Sequence, residues 1–68
     1  MNLSDLAVNL RNERLDQNLT QSELEDMCGF ASTYISQIER GKRRNPSVDN
    51  LITIANVLDV SIDWLVGR

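Results

Sequence analysis

The chain has no histidine, one cysteine (Cys28), one proline (Pro46) and only three aromatic residues, Phe30, Tyr34 and Trp64. A single cysteine cannot close an intrachain disulfide, and without histidine it cannot complete a zinc site. Cys28 also has no histidine to activate it as a nucleophile, and reads as a small core residue. Glu25 and Asp26 are adjacent, so they splay apart on a helix instead of forming a catalytic carboxylate pair. No glycine-rich phosphate loop occurs. These gaps argue against an enzyme and against a metal, a cofactor or a small-molecule ligand site. No apolar run approaches the roughly 18 residues of a membrane span, and the opening MNLSDLAVNL is not a signal peptide, so no membrane association and a cytoplasmic location are expected. Residues 1–68 allow one domain. A chain this small buries only roughly 60% of its unfolded surface, so efficient helix packing has to carry its stability.

What is present is concentrated. The net charge is −3, yet Arg40, Lys42, Arg43 and Arg44 place four of the seven basic residues in one five-residue window without an acid. From Asn45 to Gly67 the only charges are Asp49, Asp59 and Asp63. The chain is therefore a dipole with one positive end, and the distribution matters more than the sum. Read alone, the basic cluster is equally a solvated loop.

The stretch Leu19–Arg44, LTQSELEDMCGFASTYISQIERGKRR, gives that cluster a context. Thr20 followed by Glu23 is a capping box, with Leu19 and Leu24 placed as a hydrophobic staple. A helix over about 21–28 follows, with Leu24, Met27 and Cys28 inward. Gly29 lets the chain leave it sharply. Ser32 can cap a further helix over 32–40, which Gly41 ends. Two helices joined by a short glycine-containing turn form a helix-turn-helix. In the second of them, Ile35 and Ile38 point inward with Ala31 before them, while Thr33, Gln37 and Arg40 point outward between Tyr34 and Ser36. Gln pairs with adenine, Arg with guanine, Thr and Ser with several base edges, and a tyrosine ring can lie on a thymine methyl. Gln21, in the first turn of its helix, is placed for a phosphate. The plain alternative for each is a solvated helix face.

Before this motif, a helix over about 4–17 presents Leu3, Leu6, Ala7 and Leu10 on one face, and Arg14 is next on that stripe. Glu39 lies at the edge of the inward face of the 32–40 helix. Two opposite charges on otherwise apolar stripes predict a partly buried Arg14–Glu39 salt bridge. After the basic loop, Pro46 holds Asn45 extended and Ser47 caps a helix over 48–58. Its apolar residues Val48, Leu51, Ile52, Ile54, Ala55, Val57 and Leu58 cover more than one face, which predicts a central core element. Ser61 caps a last short helix in which Ile62, Leu65 and Val66 share a side and Trp64 points away. An exposed indole suggests a partner surface; the equal alternative is that Trp64 folds back over the core.

The run from Thr20 to Leu65 resembles the phage-repressor-like (Cro/repressor-type) helix-turn-helix family. The matching pieces are Thr20-Gln21, Glu23-Leu24, Gly29, Ile35-Ser36, Ile38 to Gly41, Asn45 to Ser47, Leu58 to Ser61 and Trp64-Leu65. The piece Thr33 to Ser36 before Ile38-Glu39-Arg40 is also similar to restriction–modification controller proteins and biofilm-type repressors. The resemblance implies an all-α, five-helix, lambda-repressor-like domain that binds a double-stranded DNA operator as a homodimer. It implies base contacts from Ser32, Thr33, Tyr34 and Gln37. Phosphate contacts are expected from Gln21, Ser36, Arg40, Lys42, Arg43, Arg44 and Asn45. The resemblance also implies the Arg14–Glu39 bridge, and dimer contacts through the last helix at Ile62, Trp64 and Val66. One residue departs from the family pattern. Where the family usually has alanine, this chain has Glu25, at the closest approach of the two motif helices. Glu25 must reach solvent or find a partner, for which Arg40 and the Tyr34 hydroxyl are candidates.

The function expected is sequence-specific transcriptional regulation, most simply repression at a palindromic operator. The competing reading keeps the fold as a protein-interaction module of anti-repressor type. The acidic total and Glu25 favour the latter; the basic loop and the polar Thr33, Gln37 and Arg40 face favour the former.

Overall fold

Local signals place the helix ends. The computed structural model describes residues 3–43 and 46–67 and contains five helices: α1 (Leu3–Asp16), α2 (Gln21–Cys28), α3 (Tyr34–Glu39), α4 (Val48–Leu58) and α5 (Ile62–Leu65). Among these residues there is no strand, and no helix is long and apolar enough to cross a membrane. The Thr20 hydroxyl accepts the Glu23 amide at 3.0 Å and the Glu23 carboxyl accepts the Thr20 amide at 2.9 Å, completing the capping box. Gly29 leaves α2 in the left-handed region at φ 74°, where a side chain would be strained. Ser47 and Ser61 cap α4 and α5 by accepting the amides of Asn50 and Trp64. The expected extension of Asn45 lies outside the described residues.

One apolar cluster joins all five helices: Leu6 and Leu10 from α1, Leu24 from α2, Ile35 and Ile38 from α3, four residues of α4, and Leu65 with Val66 at the end of α5. Two side chains cap foreign helix ends and lock the layers together. Asn9 Nδ2 donates to the Trp64 and Leu65 carbonyls, and Gln17 Nε2 donates to the Leu58 carbonyl at 2.7 Å. These carbonyls lie at helix C-termini, where the last carbonyls lack the regular in-helix partner; the Trp64 carbonyl also accepts the Gly67 amide at 3.2 Å. Cys28 is half-buried against the core, and that burial pushes its thiol above the ordinary range.

The structure corrects several sequence expectations. α3 begins at Tyr34, not Ser32, and Ser32 is exposed and caps nothing; Thr33 occupies the cap position in the left-handed region, φ 71°, without a side-chain cap bond. Arg40 follows the helix as its C-cap. Met27 and Ala31, expected inward, are exposed. α4 buries Leu51, Ile54, Ala55 and Leu58 but exposes Val48 and Ile52, so it is one-sided and not apolar all round. Val66 is 4% exposed in the core of its own chain, so it has no surface to offer a second subunit.

Candidate nucleic-acid interface

α3 is only six residues long, below the roughly 12–15 that a helix needs to hold itself in water. It is therefore held by what surrounds it. Ile35 and Ile38 anchor its inner face in the core. At its C-terminal end Glu39 turns inward and pairs with Arg14 of α1. Arg14 Nε donates to Glu39 Oε2 at 2.8 Å and Nη2 to Oε1 at 3.0 Å, a two-pronged geometry, while Nη1 donates to the Leu19 carbonyl at 2.7 Å. The side chains are 9% and 5% exposed. The hydrogen bond to Glu39 raises the Arg14 pKa above its ordinary value, against the opposing effect of burial. Gln21 Nε2 joins the same carboxylate at 3.1 Å.

At the N-terminal end the partner is Glu25. Its carboxyl reaches neither Arg40 nor the Tyr34 hydroxyl, the two candidates the sequence offered. Oε2 accepts the backbone amide of Ile35 at 3.0 Å, with Glu25 only 4% exposed. The Tyr34 hydroxyl instead accepts Asn50 Nδ2 at 2.8 Å.

The outer face of α3 is a connected polar cluster. Gln37 Nε2 lies 3.5 Å from the Thr33 hydroxyl, and Gln37 Oε1 accepts Arg43 Nε at 3.2 Å. The Arg43 guanidinium sits 4.9 Å from the centre of the Tyr34 ring, a cation–π contact, and Phe30 meets the same ring edge-on at 4.7 Å. The basic loop is thereby folded back onto the helix face. Its course is set by the backbone: the Lys42 and Arg43 amides both donate to the Gln37 carbonyl after Gly41 turns at φ 74°.

Of the expected base-contacting residues, Ser32 and Thr33 are exposed, whereas Tyr34 and Gln37 are half-buried and already bonded within the cluster. Of the expected phosphate contacts, Arg40, Lys42 and Arg43 are exposed. Gln21 keeps one of its two amide hydrogens free after bonding Glu39. The Ser36 hydroxyl donates to the Thr33 carbonyl at 2.9 Å, so it has no hydrogen left for a phosphate unless that bond breaks. Arg44 and Asn45 lie outside the described residues. On α5, Trp64 is 44% exposed and Ile62 is half-buried.

Comparison with known proteins points one way. Residues 10–65 match the helix-turn-helix family. The chain is 40% identical over 63 residues to control protein C.SmaI of Serratia marcescens, spanning 93% of this chain and 74% of that protein. It is 37% identical over 59 residues to the HTH-type transcriptional regulator SinR of Bacillus subtilis, spanning 87% of this chain but only 53% of SinR. In three dimensions it is similar to the restriction-modification controller protein C.AhdI from Aeromonas hydrophila, with a TM-score of 0.85 and 32% identity over 93% of this chain and 94% of that one. The biofilm master regulator SinR, solved in complex with DNA, gives a TM-score of 0.83 and 35% identity over 88% and 95% of the respective chains.

Because both partners are nearly enclosed, Arg14→Met is expected to cost roughly 3–5 kcal/mol by leaving Glu39 unpaired. Chemical denaturation of Arg14→Met, Glu39→Gln and the double variant is expected to give a coupling of at least about 1 kcal/mol. Additive losses would show that the pair does not tie α3 to α1.

Proposed function

The chain belongs to the helix-turn-helix family, and on that footing we propose that it is a sequence-specific transcriptional regulator, most simply a repressor, that binds a palindromic DNA operator as a homodimer. The observation that carries this reading is the outer face of α3. Thr33, Tyr34, Gln37 and Arg43 are gathered there as uncharged or cationic hydrogen-bonding groups. Glu39, the acid of α3, is turned inward and neutralised by Arg14. A major groove presents donor and acceptor edges between two rows of phosphates, and this face matches both parts. The relatives named as transcriptional regulators, and the SinR structure with DNA, support the same reading. DNA as the ligand in turn supports a cytoplasmic location and a binding role in place of catalysis.

The size of the chain supports the dimer reading. The described chain measures 26 Å along its longest axis, shorter than the roughly 34 Å between successive major-groove faces of one side of the duplex. One chain reaches a single half-site, and two are needed for a palindrome. The exposed Trp64, with half-buried Ile62 on the same short helix, is proposed as the α5 contact with the partner copy. The protein-interaction alternative loses one of its two supports, because Glu25 is used inside the motif.

Selection from a random duplex pool is expected to return a two-fold symmetric site with half-sites about one helical turn apart. Lys42, Arg43 and Arg44 from two chains supply about six phosphate contacts, so log affinity should fall with log salt at a slope on the order of −5. Gln37→Ala should relax preference at one base per half-site, at a cost of roughly 1–3 kcal/mol. Equal weakening on all sequences would make Gln37 a phosphate contact instead. Trp64→Glu should shift sedimentation toward monomer; an unchanged distribution would remove α5 from the dimer contact.

A further inference from the structure

The N-terminal end of α3 has a feature that neither the core nor the basic loop explains. A helix opening normally satisfies its free amides with a side chain from its own cap residue. Here Thr33 stands at the cap in the left-handed region and makes no such bond, and Ser32 makes none either. The buried amide of Ile35 is satisfied instead from another helix, by Glu25 Oε2 at 3.0 Å. The two carboxyl-bearing residues bracket α3: Glu25 holds its first turn to α2, and Glu39 holds its last turn to α1. Thr33 and Tyr34, the residues that begin the outer face, adjoin Ile35 directly.

We propose that Glu25, only 4% exposed, is a positioning residue that sets how deeply and at what angle the first turn of α3 is presented, and so fixes base preference at the Thr33–Tyr34 end of each half-site. The role rests on α3 being the DNA-reading helix. Side-chain length is the physical variable. Glutamate spans the gap between α2 and the Ile35 amide; aspartate is one methylene short; alanine leaves the amide unpaired and lets the helices close together. Glutamine has the same length and a side-chain carbonyl that can accept the same hydrogen. Non-specific affinity depends on Lys42 and Arg43 outside this contact, so specificity and general binding should separate.

The test compares Glu25→Gln, Glu25→Asp and Glu25→Ala with the parent protein. Three quantities are measured: affinity for the selected duplex, affinity for a random duplex at the same salt, and hydrogen exchange of the Ile35 amide by NMR without DNA. Asp and Ala variants are expected to lose about tenfold or more in the ratio of selected to random affinity, while random-duplex affinity stays within about twofold. Their Ile35 amides should exchange faster. Glu25→Gln should keep the ratio within about threefold and keep the amide protected. An unchanged ratio in Asp and Ala variants, a Gln variant as impaired as Ala, or parallel loss of both affinities would overturn the proposal. If the parent protein bound no duplex, the DNA reading and the positioning role resting on it would both fall. The exchange comparison, which needs no DNA, tells that failure apart from absence of the Glu25–Ile35 contact.

Discussion

The Arg14–Glu39 pair is the constraint on which the rest of this structure depends. α3 is too short to persist by itself, and its two core side chains fix only one face. Rotation and tilt are left to polar contacts at its ends. Arg14 makes three hydrogen bonds at once, two to Glu39 and one to the Leu19 carbonyl just before α2. It therefore ties α1, the entry to α2 and the exit of α3 at one point. A buried ion pair adds little net stability over a well-packed apolar substitute, because both charges lose their water. What it adds is direction: the guanidinium fork and the carboxylate fit in one relative orientation.

The same pair has an electrostatic consequence on the far side of the helix. Turning Glu39 inward leaves the outer face of α3 to Thr33, Tyr34, Gln37 and the incoming Arg43. An overall negative chain thus presents an uncharged, cation-edged surface where phosphates would lie. The aromatic contacts of Tyr34 with Phe30 and Arg43, and its hydroxyl bond from Asn50, hold that surface in a preformed state. Preformed groups lose less conformational entropy on binding than mobile ones.

Much of this was legible in the residues, and the failures have identifiable causes. Capping signals are local chemistry, and Thr20, Ser47 and Ser61 act as their neighbours predict. Arg14 and Glu39 were visible because a lone charge on an apolar stripe demands an opposite one. Met27 is misplaced because apolar spacing alone centres the inward arc of α2 on Leu24, Met27 and Cys28 and gives Glu25 no place in it. With Leu24, Cys28 and Glu25 all facing in, the centre of the buried arc of α2 moves, and Met27 falls roughly 110° from it. The late start of α3 was hidden for the same reason. Its N-terminal amide is satisfied ten residues back in sequence by Glu25, which no local cap rule detects. Val66 was assigned to a partner, but a short terminal helix buries its apolar side in its own core first. The partners within the outer cluster, Arg43 with Gln37 and Tyr34 above all, depend on the loop's fold-back onto the helix and have no signature in spacing.

The central claim is that the duplex meets the outer face of α3 and the loop after it. Titrating isotope-labelled protein with its selected duplex, and following every backbone amide by NMR, tests this most directly. The account predicts the largest shifts at Thr33, Tyr34, Gln37, Lys42 and Arg43, with α1 residues such as Val8 and Leu15 little moved. Shifts concentrated on α1 and α5 instead, with Thr33 and Gln37 unmoved, would contradict it.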